Sequence, residues 1–218
     1  MPTQLETAKQ SFQKDWNNLK LDNYLKDGAR FRLRRFGYFY FLPSTEEILP
    51  FPFTPYFQDD TINSYAGGVQ RKLAPLFKST LTNKFLQALI KFDFEQFPLS
   101  REKKQQPWRL DLHQIRVIGT DNEIGEPTPE GIHHDENDFV CIHLMGRKNT
   151  LGGINTIYDN NKQPLKSVAL QQTMDSIVIW DPHVMHSVSS VYPKNKNEKA
   201  IRDILIIGYS HVSDLKRP

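Results

Sequence analysis

Apolar and polar positions alternate in two different ways along the chain. In the N-terminal part, Leu5, Ala8, Phe12, Trp16 and Leu19, and later Leu81, Phe85, Ala88, Leu89 and Phe92, recur at helical spacing. Apolar groups three or four residues apart share one side of an α-helix, so each run predicts a helix that buries one stripe. Thr3 followed by Glu6 is a capping-box pattern for the start of the first helix. The second helix is expected between Ser79 and Phe97. From Trp108 the pattern becomes that of strands, recurring at Phe139 to Met145, Ile154 to Tyr158, Ser176 to Trp180, Ser187 to Tyr192 and Ile201 to Tyr209. Turn residues separate them at Gly152-Gly153, Asp159-Asn160-Asn161 and Asp181-Pro182. Short strands so spaced argue for a jelly roll, and with the helical region packed outside the expected fold is mainly β: a double-stranded β-helix with flanking helices. A chain of 218 residues is long enough for one domain with a substantial core. Residues 1–107 would supply helices, covering loops and an edge strand, and 108–212 the jelly-roll core with the site.

The chemistry concentrates at Gly131-Ile132-His133-His134-Asp135. On a strand, side chains two apart point the same way, so His133 and Asp135 would share a face and His134 would point to the other. With one distant histidine they make a 2-His-1-carboxylate facial triad, which leaves coordination positions open on iron. His113, His143, His183, His186 and His211 are the candidates. His143 has the right parity relative to Asp135, but a continuous strand would put it about 27 Å away. His186, opening a strand, is preferred to His183 in the Asp-Pro turn. Arg202 shares parity with Ile204, Ile206 and Gly208, so it falls on an otherwise apolar face. A guanidinium there requires an anion, and a ligand carboxylate would serve.

His133-x-Asp135, His186 and Arg202 resemble the iron and co-substrate signature of Fe(II)/2-oxoglutarate-dependent dioxygenases. Three further blocks are similar to the bacterial isoleucine 4-hydroxylase-like subgroup: Asn63 to Arg71 with Pro75-Leu76, Leu112 to Arg116, and Pro127 to Asp135 followed by Arg147-Lys148-Asn149 and Gly152-Gly153. The resemblance spans roughly residues 22–210. It implies a cupin-like jelly roll, Fe(II) on His133, Asp135 and His186, 2-oxoglutarate on Arg202, and O2 as second co-substrate, with ascorbate stimulatory. It further implies hydroxylation of a free L-amino acid, aliphatic ones such as isoleucine, leucine or methionine favoured, with release of succinate and CO2. The alternatives are a 2-oxoglutarate oxygenase acting on another small molecule or a macromolecule, and a non-oxidative cupin-type metal protein. Two departures stand out: the subgroup often has Arg-Asp-Gly where this chain has His134-Asp135-Glu136, and Gly-Asp where it has Met174-Asp175.

Composition narrows the choice further. A formal net charge of +3 and a sequence pI near 8.8 are too mildly basic to imply nucleic acid without a clustered patch. The one basic run, Arg30 to Arg35, alternates with apolar residues. It is read as an edge strand with a solvated arginine face, single-stranded nucleic acid binding being the alternative. Cys141 is the only cysteine, excludes an internal disulfide and suits a reducing cytoplasm, where it is expected as a buried structural thiol. No basic-then-apolar leader or membrane-length apolar stretch occurs, so a cytoplasmic protein with no membrane partner is expected. Arg116 would contact the substrate if the face of Leu110, Leu112 and Gln114 lined the cavity; a structural ion pair is the alternative. Arg71, just beyond Gly67-Gly68, is a second substrate candidate, with a surface position as its alternative. His113 is expected as a hydrogen-bonded structural histidine.

Overall fold

The capping box starts a helix as expected: the Thr3 side chain accepts from the Glu6 backbone N–H at the head of α1 (Gln4–Gln13). The computed structural model describes residues 3–212. After a 3-10 turn come β1 (Lys20–Leu21), β2 (Arg32–Leu42) and β3 (Glu47–Pro50). The second predicted helix is divided into α2 (Lys78–Leu81) and α3 (Lys84–Glu95). Asn83 makes the division, its side chain accepting from the N–H groups of Phe85 and Leu86 and so capping a new helix. The buried stripe of α3 is Phe85, Leu86, Leu89, Ile90 and Phe94, whereas Phe92 is 63% exposed.

Strands follow: β4 (Trp108–Gly119), β5 (Phe139–Lys148), β6 (Thr150–Gly152), β7 (Ile154–Tyr158), β8 (Pro164–Ala169), β9 (Ser176–Trp180), β10 (Met185–Val188), β11 (Val191–Pro193) and β12 (Ala200–His211). The major sheet runs β1-β2-β4-β12-β5-β9, with β3 also on β2. A second sheet, β10-β7-β8, and the pair β11-β6 complete a double-stranded β-helix. β2 pairs with β4 from Arg32↔Val117 to Phe41↔Trp108, so the sheet crosses the expected boundary near residue 107. The strand β8 had no signal in the sequence, because most of its side chains are exposed.

The two faces of the major sheet do different jobs. The outer face supplies Leu110, Leu112, Cys141, Leu205, Ile207 and Tyr209 to a core shared with Phe12 and Trp16 and with the α3 stripe. Each such fully buried side chain contributes about 1.5–3 kcal/mol. That requirement decides which way β4 faces. The sequence left open whether Leu110, Leu112, Gln114 and Arg116 face the cavity; they lie on the helix side, where Leu110 and Leu112 are wholly buried. Asp111, His113, Ile115 and Val117 therefore turn inward. Arg116 makes a two-pronged ion pair with Asp203, both bonds 2.7 Å, and does not line the cavity.

The expected solvated arginine face is also corrected. Arg32, Arg34 and Arg35 are all buried, and only Arg30 of the run is exposed. Arg32 and Arg34 point into the space between the sheets. Arg35, on the outer face, donates to the carbonyls of Asn18 and Pro75. An alternating strand can turn its polar side to water or to a polar chamber, and parity alone does not distinguish them. No helix among the described residues is long and apolar enough to cross a membrane.

Candidate metal centre

His133 and Asp135 come together with His186, as the spacing suggested, but by another local geometry. Residues 131–135 form a loop rather than a strand. A single antiparallel bridge fixes the loop: His133 N–H donates to the His186 carbonyl at 3.1 Å, and His186 N–H to the His133 carbonyl at 3.0 Å. The two imidazoles are thereby set side by side, ring centroids 4.4 Å apart. Asp181 then shapes the turn. Its carboxylate accepts from Asp135 N–H at 3.0 Å to each oxygen and from Asn137 N–H at 3.2 Å. His134 Nδ1 meets the Asp181 carbonyl at 2.6 Å, so that ring turns away from the pair.

The Nε2 atoms of His133 and His186 lie 3.5 Å from Asp135 Oδ1 and Oδ2 respectively. That is long for a hydrogen bond, but it matches neighbouring ligands around one ion: with bonds of about 2.1 Å, adjacent octahedral corners stand about 3 Å apart. Asp135 Oδ2 is buried with no hydrogen-bond partner, which is costly unless a cation fills the gap. His133 Nδ1 sits 2.9 Å from the Gly131 carbonyl and must donate to it. Its Nε2 lone pair is then free for a ligand bond. Electrostatics point the same way. Burial lowers the His133 pKa, but the Asp135 carboxylate, helped by Glu130, carries it up to about 9. A divalent ion held there would take the place of that proton. Burial pulls His186 down to about 4, keeping it neutral, and although burial acts to raise Asp135, the His186 and His133 rings hold its carboxyl well below the usual range. Burial, then the Asp135 charge, push the Asp181 carboxyl upward. The donor set of two imidazoles and a carboxylate fits Fe(II).

Across the chamber stands Arg202, 3% exposed. Its Nη2 donates to Asn155 Oδ1 at 3.1 Å and its Nε has no partner. Burial, and then the Arg147 charge, pull its pKa down to about 9, so an anion is wanted here. Gly153 passes close by; a Cβ on it would stand 3.0 Å from Arg202 Cδ. The same chamber is lined by Arg32, Arg34, Arg71 and Glu130, and by the aliphatic Ile115, Val117, Ile142, Ile204 and Ile206. It shares Tyr56, Gln58 and Asp135 with an outer vestibule of about 700 Å³.

The structure thus gathers His133, Asp135, His186, Arg202 and Arg71, and leaves Arg116 outside. His113 lies on the chamber side and is hydrogen-bonded to Arg34, while His183 is exposed against Trp180. His143 lies on the outer face, buried with Asp93 at 2.9 Å, and His211 packs against Trp108 and bonds Gln106. Asp181, Asn155 and Arg34 were missed as site residues. Asp181 carried only a turn signal and Asn155 none; Arg34 was hidden in a run read as surface.

Comparisons with known proteins cover the region that holds these residues. A family model described as 2OG-Fe dioxygenase matches residues 13–208. An L-isoleucine-4-hydroxylase of Bacillus thuringiensis is 29% identical over 201 residues, 91% of this chain and 81% of that protein. A 3(1)-hydroxy-L-isoleucine 4-dioxygenase of Pantoea ananatis is 26% identical over 203 residues, 92% of this chain and 80% of that protein. Among solved structures, a bsmA homologue from Methylobium petroleophilum superposes with a TM-score of 0.83 at 27% identity, covering 95% of this chain and 85% of that one. The crystal structure of IDO from Bacillus thuringiensis gives 0.77 at 23% identity, covering 94% and 86%. Because the family match spans residues 13–208, taking in both sheets, the convergent triad and Arg202, the chain belongs to the 2OG-Fe dioxygenase family.

Proposed function

We propose that this 2-oxoglutarate-dependent dioxygenase hydroxylates a free L-amino acid, with isoleucine, leucine and methionine the first to try, releasing succinate and CO2. The observation that carries the reading is the pairing of two unmet needs in one chamber. Asp135 Oδ2 lacks a cation on one side and the buried Arg202 lacks an anion on the other. His133, Asp135 and His186 would hold Fe(II), and Arg202 would take the far carboxylate of 2-oxoglutarate. Bound Fe(II) supplies the coupling of 2-oxoglutarate decarboxylation to oxygen insertion at a C–H bond. The two hydroxylases similar to this chain, named for isoleucine and hydroxy-isoleucine, support an amino-acid substrate.

The chain's own part is to bind and orient. Asn155 holds the Arg202 fork at one corner, leaving its remaining donors for the carboxylate. Ile115, Ile142, Ile204 and Ile206 line the chamber and would face the methylene stretch of a bound dicarboxylate, excluding water there. Asp181 keeps the Asp135 backbone in place, so the ligand carboxylate does not move when the vestibule fills. Arg71 is assigned to the substrate, whereas Arg116, held by Asp203, is given no such role.

The test is succinate release by protein supplied with Fe(II), 2-oxoglutarate, O2 and ascorbate, against a panel of L-amino acids. Mass spectrometry would look for a product with one added oxygen. Substrate-stimulated succinate with a matching product, absent in Asp135→Ala, is expected. Succinate with no product from any amino acid would refute the substrate class, and no succinate at all would refute the activity. Omitting ascorbate should slow turnover.

A further inference from the structure

Arg71 carries a charge that no carboxylate among the described residues balances. It is 1% exposed, its Nη2 donates only to the neutral Gln58 Oε1 at 2.7 Å, and its Nε has no partner. Among the described residues no carboxylate forms an ion pair with it. A guanidinium taken from water without an anion is strongly unfavourable. Elsewhere this chain solves that problem in the ordinary way: Arg32 is bonded to Asp22 at 2.9 Å and Arg116 to Asp203 at 2.7 Å. Arg71, like Arg202, has no such partner among the described residues, and it is fixed in place. Gln58 Oε1 also accepts from Asn63 Nδ2 at 2.9 Å, so the amide that holds the Arg71 guanidinium is itself held.

Arg34 is in nearly the same condition. Also buried, it donates through Nε and Nη2 to His113 Nδ1, a neutral acceptor, at 3.2 and 2.6 Å. Its nearest carboxylate, Asp22 at 3.8 Å, is already engaged by Arg32. Arg34 and Arg71 both approach the Tyr56 ring, at 5.1 and 4.5 Å from its centroid. Two guanidinium groups therefore meet on one wall of the chamber. Glu130 lines the same chamber, its side chain 11% exposed and its Oε1 3.6 Å from His133 Nε2. A ligand filling this space would meet cations on one wall and a carboxylate beside the triad.

We propose that Arg71 and Arg34 together receive the α-carboxylate of the substrate and Glu130 its α-ammonium, so that the site selects molecules carrying both free groups. This rests on the amino-acid reading above. It adds the residues that recognise the zwitterion. It also separates the two carboxylates in the chamber, with the 2-oxoglutarate one on Arg202 and the substrate one on Arg71 and Arg34.

The experiment is calorimetric titration of protein loaded with Mn(II), a redox-inactive stand-in for the iron under anaerobic conditions. The titrants are 2-oxoglutarate, then a panel of L-amino acids, then the methyl ester and N-acetyl derivative of the best binder. Arg71→Gln and Arg34→Gln are each expected to weaken the amino acid by at least about 30-fold, since the change strands a buried carboxylate. The 2-oxoglutarate affinity should stay within about threefold. Glu130→Gln should weaken the amino acid and abolish the discrimination against the N-acetyl derivative. Arg71→Gln should keep or raise the Tm of ligand-free protein, because an unbalanced buried charge is removed; a structural arginine would lower it. The clamp is overturned if the glutamine variants keep the amino-acid affinity, or if they lose amino acid and 2-oxoglutarate equally. In the first case the amino-acid reading survives. If no amino acid binds the wild type, that reading falls and the clamp with it.

Discussion

Replacing Arg202 by Lys separates co-substrate recognition from metal binding. Arg202 is 3% exposed, has no acidic partner, and gives one of its donors to Asn155. A planar guanidinium can face the far carboxylate of 2-oxoglutarate with two parallel bonds, whereas an ammonium presents a point charge on a shorter reach. The charge survives the change and at least one charge-assisted bond is lost. Such a bond is worth about 1.5–3 kcal/mol when buried. At 1.4 kcal/mol per tenfold, the 2-oxoglutarate Kd should rise about 10- to 150-fold. The three proposed metal ligands make no hydrogen bond with Arg202, so Fe(II) affinity should change by less than about threefold. Anaerobic calorimetry with Fe(II), then with 2-oxoglutarate on the metal-loaded protein, measures both. Equal loss of the two affinities would mean that Arg202 supports the fold of the site rather than the co-substrate, and the reasoning would be refuted. An unchanged 2-oxoglutarate Kd would refute it equally.

Three further outcomes are expected. Asp181→Asn keeps the shape but offers only one acceptor oxygen to the Asp135 and Asn137 N–H groups; Fe(II) affinity should fall about 10- to 100-fold, as for other residues that orient a metal ligand, and a fall below threefold would count against this role. Burial and the Arg34 guanidinium hold the His113 pKa down to about 4, below its unfolded value of 6.5. Between those values the unfolded chain binds a proton that the folded chain does not, so stability falls as pH drops from 6.5 toward 4, by on the order of 3 kcal/mol in full. Urea unfolding of His113→Asn beside wild type should show a flatter profile, and identical slopes would remove His113 from the account. Finally, Glu136 and Met174 adopt φ of +64° and +74° at the two places where the resembling subgroup often has glycine. Glu136→Gly should therefore raise stability by about 0.5–1 kcal/mol despite the usual cost of glycine, and a lower urea midpoint would contradict that.

Much of the architecture was legible in the sequence because it follows from local periodicity. The capping box at Thr3, the strands Phe139–Lys148 and Ala200–His211, and the choice of His186 over His183 and His143 all rest on spacing and turn chemistry within a few residues. The three candidate metal ligands come together even though the expected strand is a loop, because the motif names residue types and the bridge from His133 to His186 supplies the geometry that strand parity was credited with.

What the sequence by itself determined is which side chains share a face; what only the tertiary structure decided is what each face looks at. Parity separated Asp111 and His113 from Leu110 and Leu112 correctly, whereas the run Arg30 to Arg35 was read as one arginine face although Arg35 lies opposite Arg32 and Arg34. Parity could not say that the helices would cover the side bearing Leu110 and Leu112, because that depends on α1 and α3 reaching the sheet from far away in the chain. Once they do, Arg32 and Arg34, read as solvated, become part of the wall of the chamber, and of the two readings of Arg116 the ion pair with Asp203 is the one found. The same holds for charge: a residue's sign is written in the sequence, but whether it meets a counter-charge, as Arg32 does, or none among the described residues, as Arg71 and Arg202, is fixed only when the fold removes the water around it.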